Sequence, residues 1–122
     1  MRSYLLLIFV LFFTSCLNTT KTKNNILTIG IGKDVEATLR IKNKKEIEKI
    51  EFYSNGNIES VNKKNIEIYD KFIYSFKNKG EGTFKVCIYR TKDTICTESY
   101  VEKGYAPEIE FVKDSLIFTK FI

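Results

Sequence analysis

Two runs of alternating apolar and polar residues, Gly82-Thr83-Phe84-Lys85-Val86-Cys87-Ile88-Tyr89 and Thr94-Ile95-Cys96-Thr97-Glu98-Ser99-Tyr100-Val101, enclose the short polar segment Arg90-Thr91-Lys92-Asp93. Strict alternation is the period of a strand with one buried face. A turn centred on Thr91-Lys92 sets Arg90 opposite Asp93, Tyr89 opposite Thr94 and Cys87 opposite Cys96. Directly opposed residues in an antiparallel pair lie ~4.5–5.5 Å apart at Cα, within the reach of a disulfide. Turn chemistry and cysteine spacing therefore give the same register independently. The expectation is an antiparallel hairpin stapled by a Cys87–Cys96 disulfide, which belongs to an oxidising compartment.

The rest of the chain continues the pattern. Ile26 to Ile31 reads as a first strand, and Val35, Ala37, Leu39 and Ile41 mark the inward face of a second. Glu48 to Phe52 leads into Ser54-Asn55-Gly56-Asn57, where Asn-Gly suits the positive φ angles of a type I′ turn. Ile58 to Val61 would be the return strand, followed by strands at Ile66 to Tyr69 and Phe72 to Phe76. Residues 46–51 also fit the ~3.6 period of a short helix, which stands as the competing reading there. Glu108 to Val112 alternates again, and Leu116 to Ile122 forms a final strand that is apolar on both faces. About seven to nine short strands separated by polar turns predict an all-β fold, a small antiparallel β-sandwich. Its expected core is Val35, Leu39, Ile41, Ile50, Phe52, Phe84, Val86, Ile88, Ile109 and Phe111. Gly82-Thr83-Phe84-Lys85-Val86 resembles the late "G-T-Y-x-V" strand of immunoglobulin-like extracellular domains. That resemblance implies an immunoglobulin-like sandwich, with a transthyretin-like one as the architectural alternative.

The first residues obey other rules. Arg2 supplies one positive charge, Tyr4 to Phe13 is an unbroken apolar run, and the small residues Thr14-Ser15 precede Cys16. A membrane-spanning helix needs about 20 apolar residues, so residues 1–15 are expected to be a secretory signal peptide. Thr14-Ser15-Cys16 resembles the lipobox of bacterial lipoproteins, with Phe13 where that family most often carries Leu. The resemblance implies a diacylglyceryl group on the Cys16 thiol, cleavage just before it and acylation of the new amino terminus. Residues 16–25 would then be the lipidated cysteine and a polar tether, and residues 26–122 the β-sandwich domain. Each buried CH₂ adds ~0.8 kcal/mol, so two or more chains anchor firmly where one does not. Leu17 in place of Asp after the cysteine resembles the outer-membrane default, so the expected location is the outer membrane, facing the periplasm. With Cys87 and Cys96 paired, Cys16 is the odd thiol, and the lipid accounts for it.

Other chemistry is sparse. The net charge is +5, but only three of the 20 basic residues are arginine and charges of both signs alternate, so the chain reads as a solvated surface and not a nucleic-acid binder. There is no histidine, which removes the usual general base and the commonest metal ligand. No phosphate loop, dinucleotide turn or calcium loop is present, so no catalytic residue, metal or cofactor is expected. Glu108 and Glu110 read as the solvent face of a strand whose other face carries Ile109 and Phe111. Phe72, Tyr74 and Phe76 share one strand face, which is either core or, if Ile73 points inward, an exposed partner surface. The final strand is a second such candidate, buried centrally or paired with a partner's edge. The functional expectation is a membrane-anchored, non-enzymatic binding or assembly component of the cell envelope, partnered by another envelope protein. The alternatives are a periplasmic inhibitor or immunity protein and the outer-membrane lipoprotein of a type VI-like secretion apparatus.

Overall fold

The computed structural model describes residues 25–122. Cys16, the signal peptide and most of the tether lie outside the described residues. Nine strands appear in order: β1 (Ile26–Ile29), β2 (Val35–Ile41), β3 (Ile47–Ser54), β4 (Asn57–Asn62), β5 (Lys71–Phe76), β6 (Glu81–Arg90), β7 (Thr94–Glu102), β8 (Glu108–Val112) and β9 (Ser115–Lys120), with one short helix, α1 (Lys63–Ile68), between β4 and β5. They form a five-stranded sheet, ordered β1-β5-β2-β8-β9, and a four-stranded sheet, ordered β4-β3-β6-β7. The two sheets enclose one core, so the described residues form an all-β sandwich.

Alternation decides which side chains enter that core. Val35, Ala37, Leu39 and Ile41 face inward from β2, and Ile109 and Phe111 from β8. The second sheet answers with Ile47, Ile50 and Phe52 of β3 and Phe84, Val86 and Ile88 of β6. At the centre, Phe52 stacks on Tyr74 with ring centroids 5.2 Å apart, and Phe76 stacks on Phe84 at 6.2 Å. Every residue of the expected core is buried.

The β3–β4 hairpin has the turn its sequence calls for. Asn55 and Gly56 both take positive φ, 47° and 87°, between the paired residues Ser54 and Asn57. Residues 47–54 are strand, which settles the competing helical reading. Across from this turn, Asn55 Nδ2 donates to Asn78 Oδ1 at 2.7 Å, and buried Asn78 donates to the carbonyl of Gly80 at 2.8 Å. Gly82 lies under this clamp, where an added Cβ would fall 1.9 Å from Asn78 Oδ1. Only hydrogen fits there.

Three features differ from the sequence-based expectations. Ile66 to Tyr69 belongs to a helical turn and not a strand: the Asn62 side chain accepts from Asn65 N–H at 3.0 Å, capping α1 in the manner expected of asparagine. That turn buries Ile66 and leaves Ile68 half exposed, so the alternating Ile-Glu-Ile imitated a strand. Second, the sandwich is not wholly antiparallel, because β1 runs parallel to β5 and β2 parallel to β8. Parallel neighbours need a long crossover connection, and the intervening strands of the other sheet supply it. Third, Phe72, Tyr74 and Phe76 are 0%, 1% and 3% exposed. They are core, and the reading of that row as a partner surface is corrected accordingly.

One charged residue ties the layers at their far end. Arg90, its side chain only 6% exposed, bonds Asp93 at 2.6 Å in its own hairpin and Asp114 at 2.5 Å in the β8–β9 turn of the other sheet. Its guanidinium also lies over the Phe111 ring, 5.9 Å from the centroid. The planar fork of arginine presents donors to two carboxylates in fixed directions, where lysine offers a flexible point charge. Hydrogen bonds from Arg90 hold both aspartates below the ordinary carboxylate range.

Candidate functional face on the second sheet

The Cys87–Cys96 disulfide is formed, with an S–S distance of 2.04 Å and Cα atoms 4.1 Å apart. The strand register around it is the one the turn implied, with Tyr89 opposite Thr94 and Cys87 opposite Cys96. It lies on the outer face of the second sheet and not between the sheets. Cys87 is 2% exposed, whereas Cys96 at the edge meets solvent.

Pairing of β3 with β6 places Glu51 beside Cys87, Tyr53 beside Lys85 and Lys49 beside Tyr89. The outward positions of both strands thereby gather into one polar network. Tyr53 Oη donates to Glu51 Oε1 at 2.6 Å, and Ser60 Oγ of β4 donates to Oε2 at 3.2 Å. Because the Tyr53 proton is committed to the carboxylate, Tyr89 Oη donates to Tyr53 Oη, 2.9 Å away. Lys49 reaches Glu51 at 3.5 Å and lies 4.6 Å above the Tyr89 ring centroid, while Lys85 lies 4.6 Å above that of Tyr53. Each ring thus carries a cation on its face, a contact that contributes ~0.5–1 kcal/mol at an exposed site.

The charge state of the network is fixed. The Tyr53 hydrogen bond first, and then the nearby Tyr89 hydroxyl, lower the Glu51 pKa to about 2, with burial opposing and Ser60 and Lys49 assisting. The same bond to Glu51 pushes the Tyr53 phenol well above its ordinary range. Near neutral pH the pair is one carboxylate and one neutral phenol. A depressed carboxylate adds stability that is complete above its unfolded pKa, near 4.5, and is lost as pH falls toward 2. Glu51→Gln should therefore destabilise the domain at pH 7 by on the order of 1 kcal/mol, a modest figure because water screens this face. In urea titrations the gap between the two proteins should close as pH falls from about 4.5 toward 2. A gap independent of pH would refute this assignment.

Two open hollows, about 290 and 280 Å³, flank the β3–β4 turn and share Ser54, Asn57 and Ile58 as lining. Ile58, 58% exposed, projects between them, and Ile31, 80% exposed, stands at the rim of the first. The floor of the first includes the buried hydroxyl pair Ser54 Oγ and Tyr74 Oη, 2.6 Å apart, one from each sheet. Burial raises the Tyr74 pKa, with the Ser54 bond opposing.

The other carboxylates marked in the sequence are surface groups. Glu108 pairs with Arg40 at 2.8 Å, and Glu110 shares its outer strand face, next to Ile117 of β9. Sequence reasoning missed the Glu51–Tyr53–Tyr89 network. Its signal was present in the outward positions Lys49, Glu51 and Tyr53 and Lys85, Cys87 and Tyr89, but uniting them required the long-range pairing of β3 with β6. Among the described residues no group of His, Cys, Asp and Glu is placed to hold a metal ion, and no helix is long and apolar enough to cross a membrane. Comparison of the chain with protein-family models, with curated proteins and with solved structures found no match.

Proposed function

We propose that the chain is a lipid-anchored component of the bacterial cell envelope whose β-sandwich binds another envelope protein and performs no catalysis. The observation that carries this reading is the disulfide. A Cys87–Cys96 bond suits a secreted protein, and it leaves Cys16 as the odd cysteine at the seam between the apolar run and the polar tether. In this reading residues 1–15 direct export and Cys16 carries the acyl chains.

The face offered to the partner is the outer surface of the second sheet with the adjoining β3–β4 turn. Hydrogen bonds and stacked lysines hold its tyrosines in place, so little side-chain freedom is lost on binding. Tyrosines at the centre and the exposed Ile58 beside them match the composition of interface cores. The Glu51 carboxyl and Tyr53 phenol are displaced from neutrality in opposite directions. That suits a fixed charge pattern better than proton transfer, which needs a group titrating near the working pH.

Cys16→Ala is expected to abolish labelling by a clickable fatty acid and to move the protein from the membrane pellet to the soluble periplasmic fraction. An unlabelled wild-type chain, or a mature amino terminus other than Cys16, would overturn the anchor. Pull-down from detergent-solubilised membranes should recover one envelope partner, and Ile58→Glu should lose it while the fold is retained.

A further inference from the structure

The two sheets end in four edge strands: β1 and β9 in the first, β4 and β7 in the second. An edge presents unpaired N–H and C=O groups, and proteins commonly guard it with charge, proline or shortness. β4 carries Glu59 in its middle, β7 carries Glu98 in its middle and Glu102 at its end, and β1 is four residues long. β9 is six residues long, and its one charge, Lys120, stands at its last position. From Ser115 to Thr119 it holds neither a charge nor a proline, and Ile117 is 49% exposed.

We propose that β9 is a self-association edge, on which two copies of this chain pair antiparallel about Ile117 and join their five-stranded sheets into one continuous sheet. The strand's own sequence argues for a second copy as the occupant. Pairing about Ile117 sets Leu116 opposite Phe118, Ser115 opposite Thr119 and Asp114 opposite Lys120. Apolar meets apolar, hydroxyl meets hydroxyl, and opposite charges meet at both ends by symmetry. Cross-strand pairs of these kinds each stabilise a ladder, and a two-fold contact uses the same patch twice. Shifting the centre by one residue to Leu116 or Phe118 separates Asp114 from Lys120, so the charges select one register.

The surroundings agree. Asp114 is 70% exposed and uses Oδ1 for Arg90, leaving Oδ2 for the second copy's lysine. Leu116 and Phe118 pack partly against the core, so pairing extends that core across the edge. Ile117 lies on the outer face and would meet its own symmetry mate there.

The test uses the full chain carrying Cys16→Ser, so that an introduced cysteine is the one free thiol. Under mild oxidation Ile117→Cys should give a covalent dimer on a non-reducing gel, whereas Ser115→Cys, lying opposite Thr119, should not. In sedimentation velocity the Cys16→Ser chain should run as a dimer, and Ile117→Lys should halve that mass while the strand-rich circular dichroism is kept. A monomeric Cys16→Ser chain, equal crosslinking at 115 and 117, or a dimer that survives Ile117→Lys would each overturn the proposal. So would a complex in which a different protein occupies β9 while the chain alone stays monomeric.

Discussion

Phe52→Ala should cost about 3–5 kcal/mol, the loss typical of truncating a fully buried aromatic side chain. Phe52 is 0% exposed and stacks on Tyr74 of the opposing sheet at 5.2 Å and beside Phe84 of its own at 6.3 Å. Its removal opens a cavity at the point where the two layers meet, and it also removes the surface that positions the Tyr74 ring for its bond to Ser54. A domain of this size is stable by roughly 5–15 kcal/mol in total, so this one truncation removes a large share of it. Phe52→Leu keeps most of the volume and should lose less, about 1–2 kcal/mol. Urea titrations of the three proteins check the order. Equal midpoints for the alanine and leucine variants would mean that this ring does not join the layers.

Replacing both members of the disulfide, Cys87→Ala with Cys96→Ala, should lower stability by about 2–3 kcal/mol. The closed loop is short, with a sequence separation of 9, and the chain-entropy model assigns such a loop somewhat under 3 kcal/mol. In a domain of roughly 100 residues each kcal/mol shifts the melting point by about 4–8 °C, so a drop of roughly 10–20 °C is expected. The strand content should persist, because the β6–β7 ladder continues on both sides of the bond from Glu81–Glu102 to Tyr89–Thr94. Calorimetry of the oxidised and the double-alanine proteins measures the shift. An unchanged melting point would show that the ladder alone constrains the hairpin.

Local rules made much of this architecture readable. The alternation in β2, β3, β6 and β8 named the core face residue by residue, Asn55-Gly56 named its turn, and the cysteines fixed the β6–β7 register. What escaped depended on partners distant in the chain. Alternate spacing shows that Phe72, Tyr74 and Phe76 share a face, but the side they take is decided by β5 lying between β1 and β2 over the opposing rings of Phe52 and Phe84. The parallel pairs β1–β5 and β2–β8 join segments separated by two and by all four strands of the second sheet, and no turn signal records them. At Ile66 to Tyr69 an asparagine cap outweighed a three-residue alternation. The network on the outer face fell between these cases, since each half was legible as a polar strand face and the chemistry arose only where β3 meets β6.

The placement of the one covalent crosslink among the described residues has a mechanical consequence. Cys87 and Cys96 join two strands of the same layer, whereas the layers are held to each other by apolar contact, the Ser54–Tyr74 bond and the Arg90 fork. Tension arriving along the chain through β1 loads the five-stranded layer, and a grip on the outer tyrosines loads the four-stranded one. Between those two points the stiffest element is bypassed, so under traction the layers would peel apart while the stapled hairpin stayed whole.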